Sequence, residues 1–152
     1  MDTDPLRILL VEDNPGDVFF LRRALTRMDP AIEVSTAESA EEALGLLKGS
    51  AHHPFGLVLL DINLPRMTGL DLLLEIKSEV WRTSTALMIL TSSTAPSHIA
   101  AGFGRGADGY LIKPFDLDGY TRLARFIVEC WNAETTMASD AYSDIAMANP
   151  LG

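Results

Sequence analysis

Apolar residues recur along the chain in two alternating rhythms. Leu6 to Val11 (LRILLV) is a short, nearly unbroken apolar run that stops at Glu12 and Asp13, as expected of a strand covered on both faces of a parallel sheet. Asn14 and Pro15 then read as a helix N-cap with proline at the first helical position. Asp17 falls where it could return a bond to the cap or offset the helix dipole. Val18, Leu21, Leu25 and Met28 continue at helical spacing, and Ile32 to Ala37 alternates apolar and polar residues, which suits an edge or half-covered strand. Ser39 and Glu42 form a capping-box pair that opens a helix through Leu44 and Leu47 to Gly49. Phe55 to Leu60 (FGLVLL) is a second fully covered type of strand, ending at Asp61. After the turn NLPRMTG a helix carries Leu70, Leu73, Leu74 and Ile76. Ala86 to Leu90 (ALMIL) is the next strand and ends in hydroxyls, Thr91 to Thr94. The helix around Ser97 to Arg105 is the weakest, diluted by Gly102, Gly104 and Gly106. Tyr110 to Ile112 predicts a short strand ending in Lys113 and Pro114. Asp116 caps a final helix whose Leu117, Tyr120, Ala124, Ile127, Val128 and Trp131 share a face.

Strand followed by helix, five times over without sequence repeat or internal linker, predicts an α/β fold: a five-stranded parallel sheet with helices on both faces, joined by right-handed crossovers. Residues 5–133 are expected to form this one domain. Residues 134–152 contain no Lys or Arg and many Ala, Ser and Thr, and are expected to form a C-terminal tail or extension outside it. A chain of 152 residues with 47% hydrophobic and 22% charged residues has room for one soluble globular core.

Charge and cysteine content narrow the partners. Twelve Lys and Arg against twenty-one Asp and Glu give a net charge of −9, a sign that repels nucleic acid backbones and anionic lipid. The lone cysteine, Cys130, allows no internal disulfide, which suits a reducing cytoplasm. The acids at the start argue against a signal peptide, and no segment approaches the roughly 18 apolar residues of a membrane span.

The unusual polar residues all fall where strands end, the edge at which open parallel sheets gather functional groups. The first strand delivers Glu12 and Asp13, the third Asp61, the fourth Thr91 and the fifth Lys113. Three carboxylates brought together repel one another unless a cation sits among them, and an all-oxygen donor set favours a hard ion such as Mg²⁺. Lys113 and the Thr91 hydroxyl are donors aimed at the same place, which makes sense if an anion arrives there. A phosphoryl group transferred to a carboxylate is the natural candidate.

VED, LLDINLPRMTGLDLL, ILTSS and GADGYLIKPF, in that order and each at a strand end, resemble the signature blocks of the receiver domain of two-component response regulators. The resemblance runs from about Leu6 to about Asn132, and EDNPGD with the DINLP loop resembles small single-domain regulators paired with phytochrome-type histidine kinases. It implies a flavodoxin-like, doubly wound sheet of order 2-1-3-4-5. It also implies that Asp61 accepts a phosphoryl group from a kinase phosphohistidine. Asp13 and Asp61 would bind Mg²⁺ (Mn²⁺ or Ca²⁺ in vitro) directly and Glu12 through water, with the Asn63 carbonyl adding an oxygen. Lys113 would hold a phosphoryl oxygen, helped by a cis Lys113–Pro114 peptide. Thr91 would follow the phosphoryl group inward and Tyr110 would swing into the vacated space. Such a protein is a phosphoacceptor rather than an enzyme in the ordinary sense, with an intrinsic autodephosphorylation biased by Asn63 and Ser93. Its implied partners are a sensor histidine kinase and a downstream protein, and a homodimer is compatible with that role. The first acid departs from many receivers, being Glu12 where they carry Asp.

Plainer readings exist for each signal. Asp61 alone could cap a turn, Lys113 could serve a structural ion pair, Thr91 a satisfied strand end and Tyr110 ordinary packing. Phe19 and Phe20 are adjacent, so both cannot face the core; Phe103 could belong to a dimer face or anchor its helix. His52 and His53 read as solvated loop residues, and Cys130 with Trp131 as core or interface. Two other functions compete. An Mg²⁺-dependent aspartyl-nucleophile phosphohydrolase resembles D-x-D at the nucleophile, whereas here Asn63 stands two residues after Asp61. A flavin-binding domain of the same winding would need a Ser/Thr/Gly phosphate loop where this chain has acids. With no output segment evident after the last helix, the expected action is by contact with another protein.

Overall fold

A computed structural model describes residues 5–48 and 54–132. The strands are β1 (Arg7–Val11), β2 (Glu33–Ala37), β3 (Leu57–Leu60), β4 (Ala86–Thr91) and β5 (Gly109–Ile112). The helices are α1 (Pro15–Met28), α2 (Ala40–Leu47), α3 (Gly69–Ile76), α4 (Pro96–Gly104) and α5 (Leu117–Asn132). All strand pairs are parallel, in the order β2-β1-β3-β4-β5, so the chain winds outward from β1 in both directions.

Alternation along each central strand builds two separate cores. Ile8 and Leu10 of β1, Leu57 and Leu59 of β3 and Met88 and Leu90 of β4 face α1 and α5, where Leu21, Leu25, Tyr120, Leu123 and Ile127 close over them. Leu9 and Val11, Val58 and Leu60, and Leu87 and Ile89 point the other way, onto Ala43 and Leu47 of α2 and Leu72, Leu73 and Ile76 of α3. Continuous apolar runs are thus the mark of a sheet covered on both sides. β2 lies at an edge, and its weaker alternation of exposed and half-buried residues fits that position.

Local signals place most element starts. Asn14 caps α1, its side-chain oxygen accepting from the N–H groups of Gly16 and Asp17 at 2.9 and 3.1 Å. Ser39 accepts from Glu42 N–H at 3.0 Å, while the Glu42 carboxylate bonds the Glu38 N–H, one residue before the reciprocal partner of a closed box. The full reciprocal box occurs instead at Thr68 and Asp71, before α3. Asp116 accepts from Gly119 N–H at 2.7 Å and sets the start of α5.

Some expectations need correction. In α3 the buried residues are Leu72, Leu73 and Ile76, whereas Leu74 is exposed, because the helix turns its Gly69 edge onto the sheet. A 3-10 turn at Val80–Thr83, not foreseen, buries Trp81, whose indole N–H donates to the Leu47 carbonyl at 3.0 Å. Phe19 and Phe20 are both exposed to solvent to a considerable degree, and Cys130 is buried. His52, His53, Gly49 and residues 134–152 lie outside the described residues. Among the described residues no helix is long and apolar enough to cross a membrane.

Candidate functional site

Glu12, Asp61 and Lys113 are the first residues beyond β1, β3 and β5 respectively, still tied to a neighbouring strand through the backbone, and Asp13 follows Glu12. The Glu12 N–H donates to Ala37 O at 2.9 Å, Asp61 N–H to Val11 O at 3.1 Å, and Lys113 N–H to Thr91 O at 2.8 Å. The sheet therefore fixes where these side chains start, and its order puts β3, the Asp61 strand, between β1 and β4. The loop after Asp61 is equally constrained. Asp61 Oδ1 accepts from Asn63 N–H at 3.0 Å, and Arg66 turns through the left-handed region with φ 65°.

Glu12, Asp13 and Asp61 each offer a carboxylate oxygen, and these atoms all lie within 4.8 Å of one another. Glu12 and Asp61 are buried and Asp13 is exposed, so the cluster has two inner walls and one open side. The Lys113 ammonium sits among the acids, 2.7 Å from Glu12 Oε1 and 2.8 Å from Asp61 Oδ2. A third carboxylate, Asp17, contacts the same nitrogen at 2.8 Å through Oδ2, and its Oδ1 accepts from the Tyr120 hydroxyl at 3.0 Å.

Burial raises the Glu12 pKa to about 7, against the lowering effect of its bond to Lys113, and the nearby Asp61 charge adds to the rise. Burial also acts to lower the Lys113 pKa, but the bonds to Asp17, Asp61 and Glu12 outweigh it and hold the group well above an ordinary lysine. The ammonium is thus charged at any physiological pH. Burial, and then the Asp17 charge and bond, raise the Tyr120 hydroxyl, which stays a donor. Four carboxylates facing one ammonium leave an excess of negative charge. Oxygen donors at close quarters with that excess are what a divalent cation requires, so Glu12, Asp13 and Asp61 fit such an ion.

Thr91 and Tyr110 are fully buried. The Thr91 hydroxyl is 3.5 Å from both Asn63 Nδ2 and Ser93 N. The Tyr110 hydroxyl donates to the Ser93 carbonyl at 2.8 Å, and the Ser93 hydroxyl lies 2.6 Å from His98 Nδ1 at the start of α4. Tyr110 already occupies an inward seat. Burial raises its pKa, so it too remains a hydrogen-bond donor.

The structure brings Glu12, Asp13, Asp61 and Lys113 to one corner, with Asn63 and Thr91 adjoining and Ser93 one contact further. The cis Lys113–Pro114 peptide is not found: among the described residues every peptide is trans. The trans form is the lower-energy one for a residue before proline by about 0.5–1 kcal/mol, and with it Lys113 reaches all three acids. Asp17 does stand in the first turn of α1, as expected of an acid at the helix dipole, and its carboxylate in addition contacts Lys113. Tyr120 and His98 were missed as site neighbours; Tyr120 looked like one more apolar position of α5. No spacing signal links residues 17, 113 and 120.

A sequence profile described as the response regulator receiver domain matches residues 8–125. The chain is 30% identical over 131 residues to the "Probable methanogenesis regulatory protein FilR2" of Methanothrix harundinacea, covering 84% of each chain. Among solved structures it is similar to the phosphorylated cyanobacterial phytochrome response regulator RcpA, with TM-score 0.78 and 29% identity over 87% of this chain and 97% of that one. The Mn²⁺-bound response regulator Rcp1 gives TM-score 0.75 and 26% identity over 87% and 98%. The chain also spans 96% of the "Two-component response regulator ORR13" of Oryza sativa, at 30% identity, whereas several other curated relatives are longer and the chain spans 25% to 48% of their length.

Proposed function

The chain belongs to the response regulator receiver domain family, and from that premise we propose that it is a phosphoacceptor switch in which Asp61 takes a phosphoryl group from the phosphohistidine of a sensor kinase. One observation carries this reading: the buried Asp61 carboxylate is 2.8 Å from the Lys113 ammonium and within 4.8 Å of the oxygens of Glu12 and Asp13. An Asp61 oxygen forms the new O–P bond while the P–N bond of phosphohistidine breaks and its electron pair returns to the imidazole nitrogen. Lys113 offsets charge on the transferred oxygens. Glu12, Asp13 and Asp61, with the Asn63 carbonyl, would hold Mg²⁺ (Mn²⁺ or Ca²⁺ in vitro). When bound, the ion neutralises the carboxylates and the incoming phosphoryl charge. The Mn²⁺-bound state named for Rcp1 supports a divalent ion at a site of this kind.

Thr91 would bond the phosphoryl group, and through the Ser93 backbone and Tyr110 its position bears on the loop between β4 and α4. The signal would leave as a changed contact surface on α4, β5 and α5, read by a downstream protein or by a second copy meeting it near the exposed Phe103. Asn63 and Ser93 would set the rate at which water removes the phosphoryl group. Residues 5–133 would act as one cytoplasmic module, with residues 134–152 an extension. The likeness to RcpA, a phytochrome response regulator, supports a phytochrome-type kinase as the donor.

Incubation with Mg²⁺ and acetyl phosphate should label the wild type with an acid-stable, base-labile phosphate and leave Asp61→Asn unlabelled. Full labelling of the variant would overturn the assignment. Steady turnover of free phosphomonoesters would favour a hydrolase instead.

A further inference from the structure

A lysine ammonium has three N–H donors, and in Lys113 all three are engaged: with Glu12 Oε1 at 2.7 Å, Asp61 Oδ2 at 2.8 Å and Asp17 Oδ2 at 2.8 Å. Glu12 and Asp61 belong to the trio able to hold a cation; Asp17 does not. Asp17 stands in the first turn of α1, and its other oxygen accepts from the Tyr120 hydroxyl of α5 at 3.0 Å. Tyr120 is buried, with its ring centre 5.8 Å from that of Phe20, so the hydroxyl reaches Asp17 from a fixed direction.

A cation entering the trio competes with Lys113 for the same two acids. Two N–H groups would then lose their acceptors, and a strongly hydrated ammonium on a flexible four-carbon stem has no reason of its own to stay. The bond to Asp17 depends on neither acid. We propose that Asp17, oriented by Tyr120, is a positioning residue that keeps the Lys113 ammonium at the site while its other two N–H groups pass from Glu12 and Asp61 to a phosphoryl oxygen. This inference rests on the phosphoacceptor reading above and adds to it a link from the site to the packed pair of α1 and α5.

The test uses the full chain and two readouts. In the resting protein, the ¹⁵N–H signal of the Lys113 side chain should be visible in the wild type, lost to solvent exchange in Asp17→Asn and weakened in Tyr120→Phe. With Mg²⁺ and phosphoramidate, the initial rate of Asp61 labelling should fall about tenfold in Asp17→Asn and about threefold in Tyr120→Phe, with the double variant no slower than Asp17→Asn alone. Tyr120→Phe keeps every charge and the ring, so a general charge effect would leave its rate at the wild-type value. Wild-type behaviour of either single variant, or independent effects that multiply in the double variant, would overturn the proposal. Should Asp17→Asn fail to fold, Tyr120→Phe decides alone. If the wild type takes no label, the phosphoacceptor reading fails, and the ammonium signal still judges the anchor: its persistence in Asp17→Asn rejects it.

Discussion

Gly69, the first residue of α3, lies directly on the backbone carbonyl of Asp61: a Cβ at this position would overlap that oxygen and stand 2.9 Å from Ile62 Cα. The Gly69 N–H in turn donates to Ile62 O at 3.1 Å, folding the Asp61 loop back on the helix. Because the obstructing atoms are backbone, no rotamer can relieve the overlap. Gly69→Ala should lose about 1–3 kcal/mol in urea unfolding, and should slow Asp61 labelling under conditions where the variant is fully folded. Gly45→Ala, in an exposed part of α2 with nothing within 4 Å of the added carbon, is the control and should gain up to about 1 kcal/mol.

Glu12 makes the site sensitive to pH. With its folded-state pKa raised to about 7 by burial, the neutral side chain is favoured, so its contribution to stability is complete below the ordinary carboxylate value of 4.5 and is lost as pH rises through about 7. The unfolding midpoint of the metal-free protein should therefore fall across this range, and Glu12→Gln should remove that part of the dependence. Divalent affinity should move oppositely, rising with pH because the ion needs the carboxylate, by at most about tenfold per pH unit for one proton. Thermal unfolding of the metal-free protein and calorimetric titration with Mg²⁺, each on either side of neutrality, check the two signs; an affinity indifferent to pH would contradict the assignment of Glu12.

Thr91 has its hydroxyl 3.5 Å from both Asn63 Nδ2 and Ser93 N, while Tyr110 clasps the Ser93 carbonyl at 2.8 Å. Thr91→Ala should still accept label on Asp61, yet phosphorylation should no longer shift the Tyr110 ring signals. Fluorotyrosine NMR with and without phosphodonor separates these outcomes.

Trp81 binds the end of α2 to the 3-10 turn through its buried bond to Leu47 O. Trp81→Phe preserves an aromatic ring but leaves that carbonyl without this donor, and should destabilise the protein by about 1–3 kcal/mol in chemical unfolding. Asp61 labelling of the folded variant should be unchanged, since the contact lies away from the strand ends that carry the site.

Much of the fold was legible because burial on both faces forces near-continuous apolar runs, and β1, β3 and β4 carry them. Caps at Asn14 and Asp116 mark helix starts because unsatisfied N–H groups there need a local acceptor. The 3-10 turn at Val80–Thr83 was not legible, since its hold comes from Trp81 reaching a carbonyl 34 positions away. Leu74 was misplaced for a related reason: in an eight-residue helix rich in leucine, periodicity alone cannot say which edge meets the sheet.

The amino-acid order by itself determined that Glu12, Asp13, Asp61, Thr91 and Lys113 would sit at strand ends, because they close or follow apolar runs too short for a helix and bounded by turn residues. Tertiary structure alone decided that the Asp17 carboxylate, in the first turn of α1, meets the Lys113 ammonium and the Tyr120 hydroxyl, across 96 and 103 positions respectively. Strand-end placement follows from local burial, whereas a salt bridge between helices and a strand follows from where α1 and α5 dock, and docking is a property of the packed whole.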